Sequence, residues 1–276
     1  MVKRSMYNHL TDLIYDLIEW IEERLNFNIS IDLVAQKSGY SKRYIQKIFK
    51  DTIGISIGEY IRIRRLTKSA MLVMFTKKKI EYISDELNFS SLQAFTRAFT
   101  GYFNCPPLSY RKKDTLDCSK LLINKSLRVG EVNQQILFDK IFTVSGEYIE
   151  HKENLIKNNL IRKRVLRMKE IKKHKKNAID TYIYIISILK PYSNSAWDLN
   201  VTAMIGLSKD NGEVVLKFKK CVKIEYHGTW ERYPKISRNI FNILDLNVYP
   251  YSIVEEIEFY CIKSDTIKIN IYIEVK

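Results

Sequence analysis

Apolar residues in the first 113 positions recur every three or four residues, which is the spacing of helices with one buried face. The pattern predicts a first helix around residues 10–21 and a long helix over residues 56–76. The second of these runs contains no proline, and no glycine after Gly58. About 18 helical residues at ~1.5 Å each span roughly 27 Å. An all-α N-terminal half is therefore predicted.

Between these helices, the segment "SIDLVAQKSGYSKRYIQKIF" predicts two short helices joined by a tight turn. Ser30 and Ser41 are placed to cap them, because a serine oxygen can accept from the free N–H groups of a first turn. Gly39 tolerates the positive φ that such a turn requires. The second short helix has predicted buried positions at Tyr44, Ile45, Ile48 and Phe49, and outward ones at Lys42, Arg43, Gln46, Lys47 and Lys50.

The same pattern occurs again in residues 79–101, and this repetition strengthens the prediction. Positions before the turn match at an offset of 49 and positions after it at 50, so the second turn has one extra residue. Asn88 stands in the place of the turn glycine and tolerates the same backbone. One turn of B-DNA is ~34 Å long, so two hairpins on a long helix could enter successive major grooves. The matched pairs include Ser41 with Ser90, Gln46 with Thr96, Lys47 with Arg97, and Tyr60 with Tyr110.

The second half changes from helical spacing to short runs rich in β-branched and aromatic residues. Helices are predicted over residues 154–176 and 231–244. The order strand, helix, strand, strand occurs twice, which predicts an α+β domain of two βαββ repeats. The expected organisation is a helical domain over 1–113, a linker over 114–126 and an α+β domain over 127–276. Predicted strands cover residues 142–150, 181–189, 200–208, 221–230, 253–262 and 266–276.

The net charge of +15 and the pI of about 9.5 indicate an acidic partner, with nucleic acid or an anionic membrane surface as the two classes. Residues 1–113 carry 19 Lys+Arg against 11 Asp+Glu, and the rest carries 27 against 20, so charge does not single out a domain. A run over 162–176 holds nine Lys/Arg and one glutamate. It could contact phosphates, a membrane or polymerase, although a solvated helix face is its ordinary role.

Several classes of protein are not expected from this sequence. The four cysteines have no metal-ligand spacing, which predicts free thiols in a reducing cytoplasm and no metal. Acidic residues interrupt the first helix, and no uncharged run approaches the ~18 residues of a membrane span. No catalytic constellation or phosphate-binding glycine loop is present, so neither a cofactor nor enzymatic activity is expected. The expected location is the bacterial cytoplasm, at the nucleoid and not at a membrane.

The stretches "SGYSKRYIQKIFKDTIGISIGEYIRIRRL" and "LNFSSLQAFTRAFTGYFNCPPLSYR" resemble the DNA-binding domain of the AraC/XylS transcription regulators. The likeness covers residues 8–113 and is greatest to the branch that includes MarA, SoxS and Rob. It implies two helix-turn-helix units, over about 30–51 and 79–101, that bind double-stranded DNA as a monomer and recruit RNA polymerase. The implied role is an activator of stress or multidrug-resistance genes.

The resemblance also implies which residues contact DNA. Arg43 stands where relatives usually have tryptophan, Lys47 where they have arginine, and Leu92 where they have a polar residue, so promoter choice does not carry over. On the long helix, Arg64, Arg65 and Lys68 are also suited to phosphate contact, with a solvated face as the alternative. The DNA-binding residues implied are Lys42, Arg43, Gln46, Lys47, Lys50, Arg62, Gln93, Thr96 and Arg97.

In the second half, "KIEYHGTW", "IEFYCIKSD" and "INIYIEV" resemble the GyrI-like effector-binding domain over residues 127–276. In ligand-binding members, a glutamate on the strand matching "IEFY" lies in an aromatic pocket for cationic drugs. The resemblance therefore implies a lipophilic cation at Glu258, held by charge and cation–π contact, with walls from Tyr226, Trp230 and Tyr260. Two alternatives stay open for this domain: a small-molecule hydrolase, and a module that binds a protein.

Overall fold

The computed structural model describes residues 2–128, 132–156, 167–171, 173, 182–191, 197–259 and 266–276. The chain divides into two compact units. The first comprises Met1–Val73, Lys79–Arg111 and Lys120–Val129, and the second Met74–Lys78, Lys112–Ser119 and Gly130–Lys276. Within the described residues, no helix is long and apolar enough to cross a membrane.

The first unit is helical. Helices α2 and α5 begin 49 residues apart, and helices α3 and α6 begin and end 50 residues apart, as the sequence pattern predicts. The seven helices are α1 (Val2–Glu22), α2 (Ile31–Ser38), α3 (Lys42–Ile53), α4 (Ile57–Phe75), α5 (Ile80–Glu86), α6 (Leu92–Phe103) and α7 (Pro107–Arg111).

The predicted caps and turn of the first hairpin are confirmed. The Ser30 and Ser41 hydroxyls accept hydrogen bonds from the backbone N–H of Leu33 (3.2 Å) and Tyr44 (3.4 Å). Gly39 ends α2 with φ 72°, in the left-handed region that glycine adopts without strain. This geometry fixes where α3 begins and therefore which of its residues face outward.

The second hairpin has the same backbone conformation at its turn and helix cap, with different residues. Asn88 has φ 58° and so takes the conformation of the turn glycine. The cap of α6 is Ser91, which accepts from Ala94 N–H at 3.1 Å. Ser90, matched to the first cap by sequence, is instead the extra residue of the longer turn.

Each hairpin has its own apolar core. Ile45 and Phe49 of α3 are fully buried with residues of α1, α2 and α4. In the second hairpin the core is aromatic: Phe99 packs against Phe95, Phe103 and Tyr110, with ring centroids 4.6 to 5.5 Å apart. The two outward faces of α3 and α6 are thus supported by rigid packing from behind.

A buried ion pair joins α1 to α4. Arg64 donates to both carboxylate oxygens of Glu22, at 2.6 and 2.9 Å, and the Tyr60 hydroxyl donates to the same carboxylate at 2.7 Å. Arg64 also donates to the carbonyl of Leu122. Burial, and then the Glu22 charge, raise the pKa of Tyr60, so the hydroxyl stays a donor.

Residues 114–126, predicted to be a linker, are divided between the two units, because Lys112–Ser119 belong to the second and Lys120–Val129 to the first. Leu116 and Asp117 form a short strand, β1 (Leu116–Asp117), in the second unit. Further along, Leu121 is buried, and Leu122 N–H donates to Thr67 at 3.0 Å in the first unit.

The second unit contains six long antiparallel strands and short helices. Because β6 also pairs with β7, the strand order β6-β3-β4-β2-β5-β7 closes on itself, and β1 extends it beside β6. The strands are β2 (Gln134–Asn154), β3 (Ile183–Pro191), β4 (Asp198–Ser208), β5 (Val214–Thr229), β6 (Asn247–Phe259) and β7 (Thr266–Val275); α8 is described over 167–171 and α9 is Tyr233–Arg238.

One side of this sheet, the inner face, is defined by an apolar cluster that draws on all six long strands. The opposite, outer face carries Glu255, which is 2% exposed and receives two hydrogen bonds from Arg167 (2.6 and 3.2 Å). Tyr233 also donates to Glu255, and Arg167 to Ser187. Arg167, read as part of a solvated basic run, therefore lies in a buried ion pair; most of that run lies outside the described residues.

The cysteines agree with the expected free thiols where they are described. Cys118 and Cys221 are buried and Cys105 is half-buried, all three without a disulfide. Burial raises the pKa of the Cys118 thiol, and the Asp117 charge adds to the effect. A protonated, buried thiol is unreactive, so Cys118 contributes packing. Cys261 lies outside the described residues.

Candidate functional site

The outward face of α3 is polar and free of packing neighbours. Arg43, Gln46 and Lys47 are all exposed on one side of the helix, while Ile45 and Phe49 are buried on the other. Lys42 and Lys50 are exposed as well, and Lys42 forms an ion pair with Asp32 of α2. A surface pair of this kind is worth about 1 kcal/mol or less, so it leaves the lysine able to move to another anion.

The equivalent face of α6 is less charged. Gln93 and Arg97 are exposed and Thr96 is half-buried. Leu92 is 42% exposed, which places its side chain at the surface next to these polar groups. Arg97 is the single cation on α6, against four on α3, so the two faces differ in their capacity for phosphate contact.

The cations of α4 are divided between two roles. Arg62 is exposed, so its side chain is accessible for the phosphate contact predicted for it. Arg64 is 5% exposed and occupied by Glu22, so the expectation of a phosphate contact there is wrong. Arg65 donates to the carbonyls of Leu25 (2.9 Å) and Phe27 (2.6 Å), and Lys68 is half-buried.

Two tyrosines, Tyr40 just before α3 and Tyr44 in its first turn, are exposed. Tyr44, predicted to be buried, is 41% exposed and stacks on Tyr40, with ring centroids 5.1 Å apart. The sequence pattern placed Tyr44 in the core because its neighbour Ile45 is there. The pair forms an aromatic margin to the polar face of α3.

A second candidate site lies on the inner face of the second unit. Glu256 receives three hydrogen bonds, from the Tyr184 hydroxyl (2.6 Å), the Asn270 amide (2.6 Å) and the Tyr272 hydroxyl (2.9 Å). Burial, and then Glu256 itself, raise the pKa of both tyrosines, so both hydroxyls remain protonated donors. All three donors are neutral.

The neighbouring acids of this face are paired with lysines. Glu258 lies 3.8 Å from Lys268, and Glu225 lies 2.7 Å from Lys223. In the described part of the chain, Glu256 has no cationic partner. Its charge is therefore balanced by neutral donors and not by a cation, unlike the charges of Glu258 and Glu225.

Two of the residues that the resemblance grouped around a ligand, Tyr226 and Trp230, lie away from Glu258. Tyr226 pairs with Ile269, whereas Glu258 pairs with Lys268, so their side chains lie on opposite faces of the sheet. Trp230 is 5% exposed and packs beside Tyr233 on the outer face. Tyr260 lies outside the described residues. The sequence pattern did not indicate Glu256 as a ligand-binding residue. Its difference from Glu258 lies in its three hydrogen-bond donors, which come from other strands.

Comparison with known proteins agrees with the geometry of the first unit. Residues 34–113 match the family model described as "Helix-turn-helix domain". The chain is 34% identical over 198 residues to the "Putative HTH-type transcriptional regulator YkgA" of Escherichia coli (strain K12), covering 70% of this chain and 81% of that protein. These matches define a transcription regulator of the helix-turn-helix class.

Two further relatives specify the family. The chain is 44% identical over 119 residues to "Transcriptional regulator Rob" of Salmonella typhimurium, covering 43% of this chain and 40% of Rob. It is 37% identical over 109 residues to "Multiple antibiotic resistance protein MarA" of Escherichia coli (strain K12), covering 40% of this chain and 86% of MarA. The chain belongs to the AraC/XylS family of transcription regulators, in the branch of MarA and Rob.

Proposed function

We propose that this protein is a sequence-specific DNA-binding regulator whose two hairpins, α2–α3 and α5–α6, act as helix-turn-helix units in adjacent major grooves. The observation that carries the proposal is the repeated geometry: equivalent caps and left-handed turns present the outward faces of α3 and α6. A single chain then supplies both units, so it binds as a monomer to an asymmetric site. Its charge and family favour an activator that recruits RNA polymerase at stress or antibiotic-resistance promoters, in the cytoplasm.

In this proposal α3 and α6 contribute differently. The lysines of α3, together with Arg62, supply phosphate contacts, whereas Arg43, Gln46 and Gln93 present the donors that read base edges. Arg43 is suited to guanine O6 and N7, so the preferred sequence differs from that of relatives with tryptophan at this place. The few charges of α6 mean that its contribution is mainly to specificity.

The test is quantitative DNA binding by the full-length protein, with sites selected from a random duplex library of roughly 20 base pairs. We expect Arg43→Ala and Arg97→Ala each to weaken binding to the selected site by about 1–3 kcal/mol and to relax the preference at one or two base pairs. Lys190→Ala is the matched control, since it removes an exposed cation from β3 of the second unit. It should leave affinity and base preference unchanged.

The salt dependence of binding distinguishes sequence-specific recognition of DNA from electrostatic attraction to its phosphates. Binding should weaken steeply with salt, and Lys47→Ala should reduce the salt slope by about one while affecting all sequences alike. Equal affinity of the wild type for selected and unselected duplexes would overturn the specific regulator.

For the second unit we propose a GyrI-like regulatory role, in which the inner face binds a lipophilic cation at Glu256. Glu256 has no cationic partner among the described residues, and it is flanked by the rings of Tyr184 and Tyr272. On the same row across the sheet lie Gly146 and Gly206, where an added Cβ would come within 2.0 Å of a backbone oxygen. At these two positions the backbones of β2 and β4 approach too closely for a side chain.

This ligand role is tested by calorimetric titration with tetraphenylphosphonium, using neutral triphenylphosphine oxide as the matched uncharged probe. Glu256→Gln should weaken binding of the cation by about tenfold or more, because it removes the charge and keeps the shape. Glu258→Gln should change the affinity by less than about threefold, since Lys268 already neutralises that carboxylate. Equal binding of the neutral probe, or a larger loss with Glu258→Gln, would reject Glu256 as the cation site.

A further inference from the structure

The pairing of β2 changes partner along its length. Its first half pairs with β5, from Gln134 to Val144, and its second half pairs with β4, from Val144 to Asn154. Residues 134–143 and 214–224 therefore form a ribbon, which is two-stranded as far as Lys220 because β7 pairs with β5 from Cys221 onward. On the β2 side of this ribbon, no further strand pairs with it in the described chain.

The two faces of the ribbon differ in burial. Leu137, Phe142 and Phe218 pack into the inner apolar cluster. Between Leu137 and Phe142, Asp139 has φ 50°, a kink that accounts for two inward side chains at an odd spacing. The side chains that alternate with them point outward, and four are apolar: Ile136 (38% exposed), Phe138 (65%), Ile141 (58%) and Val215 (53%).

These exposed side chains form two pairs of neighbours on the ribbon. Ile136 and Phe138 are two residues apart on one strand, and Ile141 and Val215 are diagonal across the pair, because Ile141 is opposite Lys217 and Thr143 is opposite Val215. Contiguous exposed apolar groups of this kind mark interaction sites more often than scattered ones do. We call this set, with Lys217, Lys219 and Lys220, the ribbon patch.

The margin of the ribbon patch is basic. Lys217 is opposite Ile141, Lys220 is opposite Phe138, and Lys219 lies between them on β5. Lys220 donates to the backbone oxygen of Lys276, and within the described chain no salt bridge joins Lys217 or Lys219 to an Asp or Glu. An apolar strip bordered by lysines is complementary to an apolar strip bordered by acids.

We propose that the ribbon patch is a docking surface for an acidic amphipathic helix of a partner protein. The apolar stripe of the helix would cover Phe138, Ile141 and Val215, while its flanking Asp and Glu residues would pair with the three lysines. Addition of a strand at the open edge is disfavoured, because the kink at Asp139 and the charged Lys140 interrupt that edge.

Other occupants fit less well. A second copy would bring the same lysines and a net charge of +15 against each other. DNA could pair with the lysines, but its phosphate backbone would leave Phe138 and Ile141 facing charged groups. The surface is thus distinct from the DNA-reading faces of α3 and α6, and the proposal does not depend on them.

The test uses the full-length protein and a fluorescent synthetic helix of about 18 residues, with leucines at i, i+3, i+4 and i+7 and glutamates on both flanks. A peptide of the same composition with scrambled leucines is the matched probe. Fluorescence anisotropy should show about tenfold tighter binding of the amphipathic peptide. Ile141→Ser and the double variant Lys217→Glu/Lys219→Glu should each weaken it by about fivefold or more.

The control variants are Lys190→Glu, an exposed cation of β3, and Leu108→Ser, which is 62% exposed in the first unit. Both should bind the peptide as the wild type does. If circular dichroism shows that Ile141→Ser does not fold, the test rests on the double variant Lys217→Glu/Lys219→Glu. Equal binding of both peptides would overturn the proposal. Binding of the protein to phosphatidylserine vesicles that is weakened by the same substitutions would also overturn it. A dimer detected by sedimentation, and converted to monomer by Ile141→Ser, would overturn it as well.

Discussion

At the scale of single residues, partners decide what a charged side chain does. Arg62 and Arg64 are two positions apart on α4, which turns the second to the opposite side of the helix from the first. Arg62 is exposed, whereas Arg64 is enclosed with Glu22 and Tyr60. The same residue type therefore serves a surface in one place and the core in the other.

Three glutamates of β6 show the same dependence. Glu255 faces outward to Arg167, Glu256 faces inward to three neutral donors, and Glu258 is paired with Lys268. Alternation along a strand separates Glu255 from the other two. The distinction between Glu256 and Glu258 comes entirely from the strands beside them.

The buried pair gives a prediction about stability. Glu22→Ala should lower the free energy of unfolding by about 3–5 kcal/mol, because it leaves Arg64 buried without its counter-charge. Glu23→Ala is the matched control: its carboxylate is 64% exposed and pairs with Arg24 at the surface. That variant should change stability by less than about 0.5 kcal/mol in urea unfolding. Similar losses for both variants would show that the pair with Arg64 contributes little.

At the scale of elements, the two hairpins share a backbone more closely than they share residues. The left-handed positions after α2 and α3 are Gly39 and Gly54, with φ 72° and 90°, and after α5 and α6 they are Asn88 and Asn104, with φ 58° and 53°. Asparagine is among the few other residues that take this conformation readily. The chain therefore turns in the same way at equivalent places, with one extra residue before α6.

The position of that extra residue can be tested by capping. Ser91→Ala should destabilise the first unit by about 1 kcal/mol, because it removes the acceptor for Ala94 N–H at 3.1 Å. Ser90→Ala, one residue earlier in the same turn, should have almost no effect. The comparison is made by urea unfolding of the two variants under one condition. The reverse order of effects would place the cap at Ser90 and contradict the observed start of α6.

At the scale of the whole molecule, the charge and the closed sheet are properties that no single element shows. The excess of cations is spread over both halves of the chain, while the second unit buries the ion pair of Arg167 with Glu255 on the outer face of its sheet. Pairing of β6 with β7 closes six strands into a ring and encloses the inner face on which Glu256 lies. A ring also leaves few open edges, and the ribbon of β2 and β5 is a place where one remains.

Much of the first unit could be read directly from the sequence. Helix periodicity, serine caps and glycine or asparagine turns are local signals, and they placed the outward faces of α3 and α6 within one or two residues. The sequence also placed the strands of the second half approximately, although β2 begins eight residues before the predicted start at 142. Its first eight residues were missed because Asp139 breaks the alternation there.

What the sequence determined by itself is what neighbours in the chain decide: the helices of the first unit, their caps, and the polar face of α3. Only the tertiary structure decided which arginine of α4 is buried, which glutamate of β6 stays without a counter-charge, and which apolar residues of β2 remain exposed. The physical reason is that burial and charge pairing depend on groups far apart in the chain, such as Glu22 with Arg64 or Tyr184 with Glu256. No local pattern encodes those distances.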